Sequence, residues 1–149
     1  MNIKIKKNIY DLNIGVLGSR ANIIIEFLEN YPINKYTKLR SVLDITSEFD
    51  MIFVTGYYKI ISKDVISMIK YGIYCFHETP LPKGRGYAPL QWTILNNRRN
   101  LTITLFRIDD GIDTGMIAGQ YKIPICKLDT YDILEEKRKI GIVKCFQTF

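Results

Sequence analysis

Two polar strings carry the side chains best suited to chemistry in this chain. His77, the only histidine, closes the apolar run Ile73 to Phe76 and opens at once onto the loop ETPLPKGRG, with Cys75 two residues before it. Downstream, RIDDGIDTG gathers Asp109, Asp110 and Asp113 within five residues. Each string starts on the last residues of an expected buried strand, where an open α/β sheet puts its chemistry. One imidazole and one carboxylate are the smallest set that can move a proton or steady a developing oxyanion. A carboxylate at Asp113 would fix the tautomer of the imidazole and stabilise its cationic form. Three close acids also suggest a metal site, yet Asp-Asp-Gly is ordinary turn composition. No metal is expected, because nothing else in the chain supplies oxygen ligands at a regular spacing.

Pro80 and Pro82 fix φ and remove two backbone donors, and Gly84 and Gly86 permit a close turn, so His77 opens onto a stiff loop. Arg85 either holds an anionic group or pins the loop through backbone carbonyls, and the sequence leaves both open. Cys75 shares a strand face with His77 and so offers a rival, a cysteine nucleophile beside a histidine base. The string carries no other nucleophile signature.

The elements that must position these residues follow from period and punctuation. Asn13 to Gly18, Asp50 to Thr55 and Ile73 to Phe76 are short apolar runs of the kind found in buried parallel strands. Helices are expected over Ala21 to Asn30, capped by Ser19, after Ser62, and from near Ala88 to Leu95. Lys35 to Glu48 reads as a reduced connection with a helical turn. Leu101 to Ile108 and Met116 to Ile125 read as strands. Asp129 or Thr130 caps a final helix through about Gln147. The alternation predicts a three-layer α/β domain with a Rossmann-like sheet, mostly parallel in its first half. The turn NIGVLGSR lacks the three-glycine spacing of a dinucleotide fingerprint.

At 149 residues the chain fits one domain, 1–149, with no internal repeat or linker. No apolar run approaches the roughly 20 residues a membrane span needs. The start, MNIKIKKNIYDL, has no long apolar core and no small-residue cleavage site, so it does not read as a secretion signal. Cys75, Cys126 and Cys145 are odd in number, far apart and in no metal spacing, which points to a reducing, cytoplasmic setting. The net charge of +6 suits an anionic ligand such as a nucleotide, a folate tail or tRNA, or simply solubility. The basic residues form no long block: Lys4, Lys6 and Lys7; Arg98 and Arg99; Lys137, Arg138 and Lys139.

Taken together, FHETPLPKGRGYAPLQW and DDGIDTG resemble the catalytic domain of the 10-formyltetrahydrofolate-dependent formyltransferases and their hydrolase relatives. APLQW is most similar to the methionyl-tRNA formyltransferase branch, and FHETPLPKGRG to enzymes that formylate amino groups on nucleotide-linked sugars. VTGYYKIISKDVI resembles the family's folate-pocket strand and loop, and DTYDILEEK its last helix. The resemblance implies the formyltransferase fold and transfer of a formyl group from 10-formyltetrahydrofolate, as cosubstrate, to a primary amine. A small molecule or nucleotide-linked amino sugar is the implied acceptor more than tRNA.

The family uses an Asn-x-His motif plus an aspartate. On this chain His77 matches the oxyanion-stabilising histidine and Asp113 the aspartate that orients it, while Cys75 stands in the asparagine's place. The resemblance puts the cosubstrate near Gly56, Tyr57, Tyr58 and Ile60 and the loop Ile108, Asp109, Asp110, Gly111 and Ile112. It puts the acceptor near Arg85, Gly86 and Gln91. Two departures mark the chain. A thiol is a weak donor and cannot replace an amide's two N–H groups, and a strand–helix unit between the first helix and DMIFVT is expected to be missing or abbreviated. They sustain two alternatives, a degenerate and catalytically weak binding protein, and a formyltetrahydrofolate hydrolase. No C-terminal tRNA-binding domain is expected after the last helix, and a shortened sheet edge would invite a homodimer.

Overall fold

The structure, a computed structural model, describes residues 8–149. The basic residues Lys4, Lys6 and Lys7 and the start of the chain lie outside them. Among the described residues six strands form one sheet: β1 (Asn13–Leu17), β2 (Lys35–Leu39), β3 (Met51–Thr55), β4 (Ile73–His77), β5 (Asn100–Arg107) and β6 (Ile117–Pro124). Their spatial order is β2-β1-β3-β4-β5-β6. The first four are parallel, and β5 and β6 add on antiparallel. Four α-helices join them: α1 (Ala21–Glu29), α2 (Lys63–Met68), α3 (Pro89–Leu95) and α4 (Tyr131–Gln147).

Alternation along the strands builds a core on each face of the sheet. Met51 and Phe53 point into one cluster with Ile24 and Leu28 of α1 and Leu134 and Ile142 of α4. Ile52 and Val54 point into the other with Leu39, Phe49, Ile61 and Ile69. Strands buried on both faces are why β1 and β3 read as continuous apolar runs. The result is the expected three-layer, mostly parallel α/β sheet.

Two local expectations need correction. Lys35 to Glu48 is more than a connection, because β2 pairs in parallel with β1 from Asn13↔Lys35 to Leu17↔Leu39. The strand of the expected missing unit is therefore present, and its helix is cut to a single turn at Val42–Asp44 capped by Ser41. At the sheet edge, only Leu39 of β2 is buried. Backbone pairing rather than an apolar pattern makes this strand, and no periodicity announced it. Ser19 does not cap α1. The helix begins after Arg20 without a side-chain cap, and Ser19 Oγ donates to the Gly56 carbonyl at 2.9 Å. This ties the turn after β1 to the turn after β3. Ser62 and Thr130 do cap their helices, accepting from the amides of Val65 and Ile133.

Candidate active site

In an open α/β sheet the natural crevice lies beyond the carboxyl ends of the strands where the strand order reverses. Here β1 and β3 are neighbours, with β2 on one side and β4 on the other. A cleft of about 630 Å3 opens over the ends of β1, β3 and β4. Ser19 and Arg20 follow β1, Gly56 to Ile61 follow β3, and Cys75 to Glu78 close β4. The loop after β5 contributes Ile108, Asp109, Gly111, Ile112 and Asp113 from the other side.

His77 and Asp113 meet in this cleft, with Nε2 3.7 Å from Oδ2. The shorter contact of Nε2 is to the Gly84 carbonyl, at 2.9 Å. A carbonyl oxygen can only accept, so Nε2 carries a proton, and in the neutral ring Nδ1 keeps the lone pair. Asp113 is held on two sides. Its carboxylate accepts the Gly86 amide at 2.8 Å, and its backbone carbonyl accepts from Arg85 Nε at 3.0 Å. The residue sits in the left-handed region at φ 52, a conformation aspartate tolerates better than most residues. The two strings are thus clasped together at Arg85 and Gly86.

Cys75 lines the same cleft, half-buried. Burial, and then the carboxylates of Asp113 and Glu78, push its thiol far above its ordinary range. It therefore stays protonated at physiological pH, which removes the thiolate that a cysteine nucleophile requires. Its one donor is turned to the Phe76 carbonyl, at 3.7 Å.

Of the residues expected to face cosubstrate, Gly56, Tyr57, Tyr58, Ile60, Ile108, Asp109, Gly111 and Ile112 line the cleft. Asp110 does not. It borders a separate hollow with Lys63 and Arg107, because the Asp109 side chain closes the turn on the Gly111 amide and the Thr114 hydroxyl. Gly86 and Gln91 line the cleft, whereas Arg85 leaves it to clasp Asp113.

The sequence reading missed an ion cluster that also lines the cleft. Glu78 is 6% and Arg138 2% exposed. Arg138 Nη1 lies 3.4 Å and Arg20 Nη1 3.9 Å from Glu78 Oε1, and Glu135 pairs with Arg138 from its outer side. Two guanidiniums face two carboxylates, so the cluster is charge-balanced. Its only sequence signal was a carboxylate directly after His77, since Arg138 is hidden in the surface-like string EEKRK. Lys137 and Lys139 flanking it are paired locally with Asp129 and Glu136.

The cleft is large enough for a small molecule. Its volume falls within the range of such sites, and Tyr57, Tyr58, Ile60, Ile108 and Ile112 give it aromatic and aliphatic lining.

Comparison with known proteins gives consistent findings. Residues 33–141 match the family described as formyl transferase. The chain is 31% identical over 140 residues to a methionyl-tRNA formyltransferase from Prochlorococcus marinus (strain AS9601), covering 86% of this chain and 43% of that protein. It is also similar to the crystal structure of the formyltransferase PseJ from Anoxybacillus kamchatkensis in complex with UDP-4,6-dideoxy-4-formamido-L-AltNAc and tetrahydrofolate. There the TM-score is 0.75 at 28% identity, over 90% of this chain and 72% of that one. Phosphoribosylglycinamide formyltransferase from Bacillus Halodurans shares the fold, with a TM-score of 0.73 at 16% identity over 91% and 92% of the two chains. The chain spans less than half the length of the tRNA-formylating relative.

Proposed function

The chain belongs to the formyl transferase family, and we propose that it transfers a formyl group from 10-formyltetrahydrofolate to a primary amine on a small molecule or nucleotide-linked amino sugar. The observation that carries this reading is the approach of His77 and Asp113 to 3.7 Å in a cleft with a tyrosine and isoleucine wall. The cosubstrate would supply the formyl carbon: the acceptor amine bonds to it, its bond to the folate nitrogen breaks, and that nitrogen leaves with the proton that the amine gives up.

The chain's own residues handle charge and protons. His77 holds a proton on Nε2 against Gly84 and offers Nδ1 to take up the proton that the amine loses. Once doubly protonated, it is a cationic donor for an oxygen that gains negative charge. Asp113, fixed by Gly86 and Arg85, stabilises that cation. Arg20, Glu78 and Arg138 add a polar stretch to the lining, suited to an acceptor rich in hydroxyl groups.

Cys75 supports a second reading. With its thiol protonated and turned to the Phe76 carbonyl, the cleft lacks a strong donor where the family has an amide, as expected of a weak catalyst or a binding protein. Purified protein incubated with 10-formyltetrahydrofolate and a panel of amines tests both, alongside calorimetric titration with tetrahydrofolate. Formylated product is expected. Binding without product favours the second reading, neither result sinks both, and formate release without amine identifies a hydrolase.

A further inference from the structure

We propose that Thr79 and Thr104 are positioning residues that hold His77 in its Nε2–H tautomer by fixing the Gly84 carbonyl. The proposal rests on the reading of His77 as the proton-handling residue. It assigns the orienting role to a backbone carbonyl rather than to Asp113.

The Gly84 oxygen accepts two hydrogen bonds, from His77 Nε2 and from Thr79 Oγ1, both at 2.9 Å. Its two lone pairs are therefore committed, and any rotation of this peptide strands two donors. Thr79 is fixed in turn. The Thr104 hydroxyl donates to the Thr79 carbonyl at 2.6 Å, and Thr104 is fully buried in β5, where it faces His77 in the strand register. The direction of that bond is forced. Gln120 Nε2 can only donate, and it does so to Thr104 Oγ1 at 2.9 Å and to the Leu81 carbonyl at 2.8 Å.

Gly84 lies against this pair. At its φ of +80 an added Cβ would come 2.9 Å from the Thr79 Cβ. His77 of β4 and Thr79 of its exit loop thus meet at one carbonyl oxygen, and β5 and the edge strand β6 hold that loop through Thr104 and Gln120. Asp113 Oδ2, by contrast, is 3.7 Å from Nε2 and already accepts the Gly86 amide. That distance is too long for it to hold the ring by itself.

His77 is the only histidine in the chain, so the nitrogen resonances of a histidine-labelled sample report on it without assignment. In the wild type, a single neutral tautomer with the proton on Nε2 and slow exchange of that proton with water are expected. Thr79→Val keeps the branched shape and removes the hydroxyl. It should give a mixture of tautomers and fast exchange, and Thr104→Val should move the spectrum in the same direction. Thr79→Ser should restore the wild-type spectrum, while Asp113→Asn should leave the tautomer unchanged.

With an acceptor amine identified, Thr79→Val should lower kcat by about two- to tenfold, the size of one neutral hydrogen bond, with KM little changed. A single Nε2–H tautomer retained in folded Thr79→Val, or lost in Asp113→Asn, would overturn the proposal. If the spectra behave as expected but no variant or wild type transfers formyl groups, the functional reading fails and the latch stands.

Discussion

Cys75 stands two residues before His77, and its single donor is turned to the Phe76 carbonyl. Loss of one oxyanion donor commonly costs about 10²–10³ in rate. Cys75→Asn is accordingly expected to raise kcat by about 10²-fold, as measured in single-turnover assays; an unchanged rate would mean the amide is not what this cleft lacks. The raised thiol values give a second test. A group whose folded value is raised stays protonated as pH climbs past its ordinary value, so thiolate forms late. Burial also raises Cys145, to about 11, and Cys126 is exposed. In native protein at pH 8, iodoacetamide should modify Cys126 first and leave Cys75 and Cys145 largely unlabelled, as read by peptide mass spectrometry. Most of the cleft at this scale was legible in the sequence, because His77, Asp113 and the glycines stand in short polar strings at strand ends. Arg138 was not, because burial is invisible in a string such as EEKRK. Nor was the Gly84 carbonyl, since every residue has one and only folding decides which is aimed at a ring nitrogen.

At the level of elements, α4 is bound to the sheet by one face, on which Arg138 is buried between Leu134 and Ile142. Arg138 reaches from α4 to Glu78 at the end of β4, with both side chains almost fully buried. Arg138→Met should cost about 3 kcal/mol in urea unfolding, because it leaves the Glu78 carboxylate buried with only the longer contact to Arg20. Adding Glu78→Gln should recover part of that loss, since replacing a buried pair outright is far less costly than breaking it. Gly141 marks where α4 lies closest to β5. An added Cβ would meet Ile103 Cγ1 at 2.6 Å and Ile123 Cδ1 at 3.1 Å, and Ile103 has no room to move. Gly141→Ala is therefore expected to destabilise by about 1–2 kcal/mol by overpacking, despite the gain in helix propensity. The central strands were legible here because burial on both faces makes them continuous apolar runs, and the helices after Ser62 and Thr130 because a hydroxyl caps each of them. The edge strand β2 was not, since the pairing with β1 that creates it leaves no apolar alternation in KYTKL.

For the whole molecule, the fold places three turns of the parallel half and one loop of the antiparallel half around a single cleft. Among the described residues no helix is long and apolar enough to cross a membrane. A ligand held by that many separate segments stabilises all of them together by mass action. Tetrahydrofolate at about 100 times its dissociation constant should add about 2.7 kcal/mol, raising Tm by roughly 5–10 °C for a domain of this size. Calorimetric scans with and without the ligand check this, and no shift at saturating concentration would remove the folate reading. Local order along the chain was enough to determine the α/β class, the strand-end placement of His77 and the two strings that resemble a formyltransferase. Chemistry at a strand end needs contiguous residues, and contiguity survives in a sequence. The tertiary structure alone decided which partners those residues take: Gly84 for the imidazole, Arg85 for the backbone of Asp113, Arg138 for Glu78. Each of those contacts joins segments separated in the chain or turned away from one another, and only the closing of the sheet and the seating of α4 bring them within hydrogen-bonding reach.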